Sequence, residues 1–515
     1  MEFNYNPVES LPPLAWCATL RRNQRGVTVH HGSQIETDPS FFVEGAWDGA
    51  FEAGRFDTAL TFTGSGGRIE GNQVCFSSAS NNLERLYALK TDAALYIANS
   101  LVLLFHQTGE SLDATYPDYF LDYTRFHRTG LRSLHKSIPC ASGRRVQFLD
   151  CCNLTVGPDL GSQIRLRDFG RPHKDFEAYH ALLDHTVQAV FANAADSSRW
   201  QQYRPLAAIS RGYDSPAVAA VAVRNGCIES FSFFESSTKD NDTYVMADDN
   251  GSEIAGILGM SCKSYHRMAN TEATRLQLIE NFENIFACPM LAITRFQQDL
   301  PGRMLLTGRH GEHFWNLDPY RSLPWYQEIT ARAMPGVPGL EFRLANGFIN
   351  FHAPYIGGVH APSLLKISRS KEMAPWRIGG NYDRPIARRI VENAGVGREQ
   401  FGQVKMGGDV PIRENRELPA AVNAEFLDYY RHTVPCEVRK RLETDYNSIP
   451  RFFNRGRPTG LDKRLRAQYG LRGISERLLG HRGNPRVGSA HLYTFHWAFN
   501  EMIKIYRDKA GQLVA

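Results

Sequence analysis

A chain of 515 residues is too long for one ordinary domain, and with 42% hydrophobic and 22% charged residues it can bury large cores without covalent staples. Lys and Arg outnumber Asp and Glu by only 59 to 54, so the net charge of +5 calls for neither nucleic acid nor an anionic membrane as partner. No apolar run is long enough to span a bilayer, MEFNYNPVESLPPLAW carries no secretory pattern, and nine scattered cysteines without zinc spacing fit reduced thiols in the cytoplasm.

Up to about Gly161 the text reads as short strands and turns. TALTFTG, QVCFSS and ALYIAN have strand length and apolar character, with Gly-Ser-Gly-Gly punctuating the first two. RLRDFGRPHKD reads as a linker. Over Asp175–Ala194, Phe176, Tyr179, Leu182, Leu183, Val187 and Val190 recur at helical spacing. Strand and helix then alternate: PLAAIS, SPAVAAVAV, SFSFF, EIAGILG and RMLLTG read as strand, helix, strand, helix and strand, a rhythm that argues for a parallel sheet covered on both faces. The last third reads as helical and basic, with VRKRL and DKRLRAQYGLRGISERLL. The predicted fold class is therefore α/β in two parts, residues 1–165 as an antiparallel α/β sandwich and residues 166–515 around a parallel sheet.

The chemistry concentrates at Ser210-Arg211-Gly212-Tyr213-Asp214-Ser215, where a buried strand runs into a turn of small and hydroxyl residues and then into a helix. Backbone N–H groups of such a turn and the helix N-terminus form a cradle for an anion, and Asp214 is placed to hold a magnesium ion between phosphate oxygens. A plain strand–turn–helix with Ser215 as its cap would have the same sequence.

Ser-x-Gly-x-Asp-Ser after a strand resembles the pyrophosphatase loop of the N-type ATP pyrophosphatases, which include asparagine synthetases, β-lactam synthetases and lasso-peptide cyclases. Arg211 stands where that family has a second glycine, and its side chain either grips phosphate or obstructs the loop. Phe231-Ser-Phe-Phe234 resembles the strand beside the adenine, which puts Phe233 in the nucleotide site. Thr307-Gly308-Arg309-His310-Gly311-Glu312 resembles the second block, with Glu312 in the place of the aspartate that shares magnesium with Asp214. Ser370-Lys-Glu372-Met-Ala-Pro375-Trp376 resembles the segment whose glutamate faces the reacting carboxyl group. Tyr382-Asp-Arg384-Pro385-Ile-Ala-Arg388 leads to Phe401-Gly402-Gln-Val-Lys405, where Lys405 matches the cation of the active site. The ordered blocks cover residues 205–410.

VEGAWDGAFEAGRFDTALTF and CFSSASNNLERLYALKTDAALYIANSLVLLF are similar to parts of the glutaminase domain of asparagine synthetases. Their nucleophile is a cysteine after the initiator methionine; this chain has Glu2 there, and its first cysteine is Cys17. The resemblance thus implies an N-terminal-nucleophile (Ntn-type) αββα sandwich without its nucleophile, followed by an adenine-nucleotide α-hydrolase-like domain. It implies ATP and Mg2+ as cofactors and a small-molecule or peptide substrate bearing carboxylate and amine. Catalysis falls to Lys405, Glu372, His310 and Arg309, and nucleotide binding to Ser210, Arg211, Gly212, Asp214, Ser215, Phe233, Thr307 and Gly308. The function implied is an amide ligase or cyclase that adenylates a carboxylate. The alternatives are an amidotransferase using free ammonia and an inactive nucleotide-binding scaffold. A homodimer or a partner biosynthetic enzyme is left open.

Overall fold

In the N-terminal strands apolar residues alternate in facing, and the two faces enter different cores. Trp16, Ala18 and Leu20 point into one core, while Cys17 between them points into another. The computed structural model describes residues 1–81, 84–123, 136–240, 243–267, 272–280, 293–317, 339–380, 382–407, 418–448 and 489–511, and the basic stretch DKRLRAQYGLRGISERLL lies outside them. The protein is mixed α/β, with several sheets.

A seven-stranded sheet has the spatial order Glu2–Pro7, Gly26–His31, Trp16–Arg21, Ala94–Ala98, Leu86–Lys90, Arg145–Leu149, Lys136–Pro139. A six-stranded antiparallel sheet runs Ser162–Leu166, Cys152–Val156, Gln73–Ser77, Phe62–Glu70, Phe41–Trp47, Glu36–Thr37. Trp16, Val27 and Ile97 of the first meet Phe42, Phe76 and Leu154 of the second in a shared core, with the Trp16 and Phe42 rings 4.8 Å apart. The other face of the seven-stranded sheet is covered by helix Leu101–Thr108, against which helix Thr494–Gly511 packs, its Phe499 ring 5.0 Å from that of Phe105. The chain end therefore returns to the N-terminal sandwich, a contact that the sequence did not foretell.

Gly64-Ser65-Gly66-Gly67, expected between strands, lies inside strand Phe62–Glu70. The reason is close approach. A Cβ on Gly67 would come within 2.7 Å of the Phe42 ring, and Gly64 faces Gly45 with φ of +118° and +124°.

Helix Phe176–Ala194 starts where its cap predicts, with Asp175 accepting from the Ala178 N–H at 2.8 Å. A five-stranded parallel sheet follows, in the order Ser261–Tyr265, Glu229–Phe233, Arg204–Ala208, Arg303–Leu306, Ile349–Phe351. Numbered along the chain this order is 3-2-1-4-5, so the winding reverses between Arg204–Ala208 and Arg303–Leu306. Helices Asp214–Arg224 and Ser252–Ile257 fall between strands, as the alternation predicts. An antiparallel hairpin, Glu235–Asp240 with Thr243–Asp248, was not legible in the sequence; Met406–Gly407 pairs onto it as a third strand.

Sandwich and parallel sheet are tied by buried charge. Arg343 donates to Glu44 at 2.7 and 3.0 Å and lies 3.2 Å from Glu84, while Ser100 donates to Glu341 at 2.7 Å.

Candidate functional site

In an open parallel sheet, ligands bind beyond the carboxyl ends of the strands at the point where the winding reverses. A cavity of about 340 Å3 opens there. Strand Arg204–Ala208 delivers Ser210, Gly212, Asp214 and Ser215 to its wall, Glu229–Phe233 delivers Phe233, and Arg303–Leu306 delivers Thr307, Gly308, Arg309, His310 and Glu312. Lys405 reaches the same cavity because the next residue, Met406, pairs with Thr238 of the hairpin.

The two central loops are packed against each other so closely that glycine is required. A Cβ on Gly308 would stand 2.3 Å from the Ser215 backbone nitrogen, and one on Gly311 would stand 2.4 Å from the Asp214 carboxyl carbon. Within the first loop, the Ser210 and Ser215 hydroxyls are 2.8 Å apart and Gly212 N–H donates to Ser210 Oγ at 3.2 Å. Arg211 is held at the Asp248–Asp249 side of the loop. Its N–H donates to Asp249 at 3.1 Å, its guanidinium pairs with Asp248 at 2.5 Å, and its side chain does not line the cavity.

Asp214 is more constrained than expected. Arg384 donates to its Oδ2, while Oδ1 is buried without a hydrogen-bond partner against Gly311. Burial draws the Arg384 guanidinium down to about 9. A hard cation needs oxygen donors, and the unpartnered Oδ1 with Glu312 on the adjoining loop supplies them, so the residues fit Mg2+. Glu312 also forms a second grouping: its carboxylate and the rings of His310 and His313 offer ligand atoms within 4.8 Å of one another. Imidazoles suit softer metals than magnesium.

His310 caps the short helix Gly311–Phe314 from the left-handed region, at φ of +67°, an uncommon conformation for a residue with a Cβ. Its ring is buried and stacks 5.6 Å from that of His313. Lys405 Nζ lies 5.9 Å from the centre of the Tyr382 ring.

Glu372 corrects the expectation that it faces the reacting carboxyl group. It pairs with Arg389 at 2.5 Å and is absent from the cavity wall. Arg389 is held in turn by Glu177 on the helix after the linker, and its guanidinium lies 3.9 Å from the Phe176 ring centre. That site turns Glu372 into part of a surface clamp.

Residues not assigned from the sequence also line the cavity: Arg267, Asp249, Tyr382, Arg384 and His352. Arg384 carried one signal, the Pro385 behind it, which starts helix Pro385–Asn393 and fixes Arg384 as its cap. His352 carried none. It is buried at the end of strand Ile349–Phe351, its Nδ1 lies 2.8 Å from Thr307 Oγ1, and burial together with Arg309 lowers its ring to about 3. The cavity thus combines Arg267, Arg309, Arg384 and Lys405 with Asp214, Asp249 and Glu312, a set suited to a polyphosphate with a metal.

In the N-terminal sandwich, Cys17 is fully buried and burial pushes its thiol up to about 12. No helix among the described residues is long and apolar enough to cross a membrane. No protein-family model matches the chain, and no curated protein matches it.

Proposed function

We propose that this protein is an ATP-dependent carbon–nitrogen ligase that adenylates a substrate carboxylate, releases pyrophosphate and lets an amine displace AMP. A glutaminase-like sandwich and an adenine-nucleotide α-hydrolase-like domain make up its architecture. One observation carries the proposal: the turn Ser210–Ser215, the second loop Thr307–Glu312 and Lys405, far apart in sequence, line one cavity at the winding reversal of the parallel sheet.

The chemistry follows from the wall. The Ser210–Ser215 turn and the N-terminus of helix Asp214–Arg224 receive phosphate oxygens, and Phe233 packs beside the base. Asp214 and Glu312 would hold Mg2+, which when bound offsets phosphate charge. A carboxylate oxygen attacks the α-phosphorus as the bond to the β-phosphate oxygen breaks, and pyrophosphate leaves with that electron pair. Lys405, Arg309 and Arg384 offset the charge that builds on both fragments. The amine then forms its bond to the acyl carbon, the bond to AMP breaks, and the amine loses a proton. His310, on the second loop and in the cavity wall, would receive it.

The test is ATP–pyrophosphate exchange with Mg2+ across a panel of carboxylates. Carboxylate-dependent exchange supports the ligase, and exchange with none of them sinks it. Ammonium chloride as the only amine then separates an ammonia-using amidotransferase from an enzyme that joins two substrate groups.

A further inference from the structure

A second cavity, of about 470 Å3, lies beside the first and shares His352 with it. Its walls come from parts of the chain that only the tertiary fold unites. Phe62 and Cys151 come from the sandwich, Phe169 from the linker, Leu182 from helix Phe176–Ala194, and Tyr355 and Ile356 from the turn after strand Ile349–Phe351. The linker is held in place there: His360 lies 3.1 Å from the Gly170 carbonyl, and His173 N–H donates to Ser363 at 3.3 Å.

This volume falls in the range of about 300–1,000 Å3 that small organic ligands occupy, and is far larger than ammonia or a single water requires. Apolar walls select the body of the occupant, and charge selects its head. No Asp or Glu lines the cavity among the described residues, so an ammonium group would enter without a counter-ion. Arg171 and Lys174 are exposed at the linker wall and favour the approach of an anion.

His352 gives the cavity its polar end. Thr307 Oγ1 accepts from the Arg309 N–H at 3.4 Å and lies 2.8 Å from His352 Nδ1. With the Thr307 hydroxyl donating to Nδ1, the proton of the neutral ring sits on Nε2, which is buried and has no hydrogen-bond partner. An N–H donor between an apolar chamber and the phosphate cavity is suited to a carboxylate oxygen.

Resting on the ligase function proposed above, we infer that this chamber binds the acid substrate, an aryl- or branched-alkyl carboxylic acid. Its apolar body lies among Phe62, Phe169, Leu182 and Ile356, and its carboxylate is directed past His352 toward the nucleotide cavity. His352 is a positioning residue that orients the carboxylate by one hydrogen bond. The amine partner enters elsewhere.

The test uses the full-length protein and calorimetric titration with 4-phenylbutyrate, 4-phenylbutylamine and acetate. Ala178, exposed on the first turn of helix Phe176–Ala194, lines the chamber and can be enlarged without disturbing a core. Phenylbutyrate should bind the native protein, while Ala178→Trp weakens it about tenfold or more by filling the chamber. The amine and acetate should bind far more weakly than phenylbutyrate. His352→Ala should weaken phenylbutyrate, and His352→Gln, which restores an N–H donor, should recover part of the loss. Equal binding to Ala178→Trp, or an amine bound as well as the acid, overturns the inference. Mg-ATP binding, measured in parallel, should be unchanged by Ala178→Trp. If Mg-ATP fails to bind either protein while phenylbutyrate behaves as expected, the ligase proposal fails and the chamber stands. The reverse pattern removes the chamber and leaves the nucleotide site.

Discussion

Arg384 donates to Asp214 across 170 residues of chain, and the pair closes the base of the loop Ser210–Ser215. The Asp214 carboxylate is 13% exposed and the arginine side chain 2%, so each is the other's main compensation for burial. The loop aspartate is therefore anchored through one oxygen, while the other is the one that the proposed Mg2+ site would use.

These two roles separate by mutation. Asp214→Asn should lower carboxylate-dependent pyrophosphate exchange by about a hundredfold or more, because it removes a preorganised negative donor. Arg384→Met should instead destabilise the fold by about 3–5 kcal/mol, since it strands a buried carboxylate. The double variant should regain part of that loss in thermal unfolding. A fully stable Arg384→Met protein would mean that Asp214 does not depend on this partner.

Lys405→Ala should reduce turnover by about a hundredfold, roughly 3 kcal/mol, while Mg-ATP still binds. Arginine should rescue poorly, because a planar fork does not occupy the place of a compact ammonium. Single-turnover measurement of pyrophosphate release separates this loss from slower product release. An unchanged rate would remove Lys405 from the chemistry.

Glu372→Gln should change turnover by less than about threefold. The half-exposed pair with Arg389 is worth at most about 1 kcal/mol, and the carboxylate is not on the cavity wall. A loss of a hundredfold with the fold intact would put Glu372 back at the reacting carboxyl group.

Glu341 couples the interface to pH. Burial raises its carboxyl from 4.5 to about 7, against the opposing donors Ser100 and Val102 N–H. The native state therefore holds a proton that the unfolded chain has lost, and stability falls as pH rises from about 4.5 to 7, by up to roughly 3 kcal/mol. Glu341→Gln should flatten that part of the profile in thermal unfolding between pH 5 and about 8. A native profile that is already flat would show that the carboxyl is ionised throughout.

The sequence by itself determined the local elements and the strand–turn–helix at Ser210–Ser215. Period-2 and period-3.6 patterns read out the alternating strands and helices of the second half, and Asp175 announced the start of its helix, because these signals arise between neighbours in the chain. Ser210–Ser215, the second loop and Lys405 were singled out as short segments that resemble family motifs, and the fold gathers them at one cavity. What depended on contact between distant segments was not legible. The glycine run of strand Phe62–Glu70 looks like a turn until Phe42 and Gly45 are laid against it. Arg211 reads as gripping phosphate or obstructing the loop, and its pairing with Asp248 depends on a hairpin that was also unread. Glu372 reads as catalytic until Arg389 and Glu177 draw it to the surface. Arg384 and His352 acquire their roles only because the sheet reverses its winding beside them, and the return of helix Thr494–Gly511 to the first sheet has no local signature at all. Local patterns encode which element forms; which buried charge meets which partner is decided when the chain closes on itself and desolvation forces every ionised group to find a counterpart.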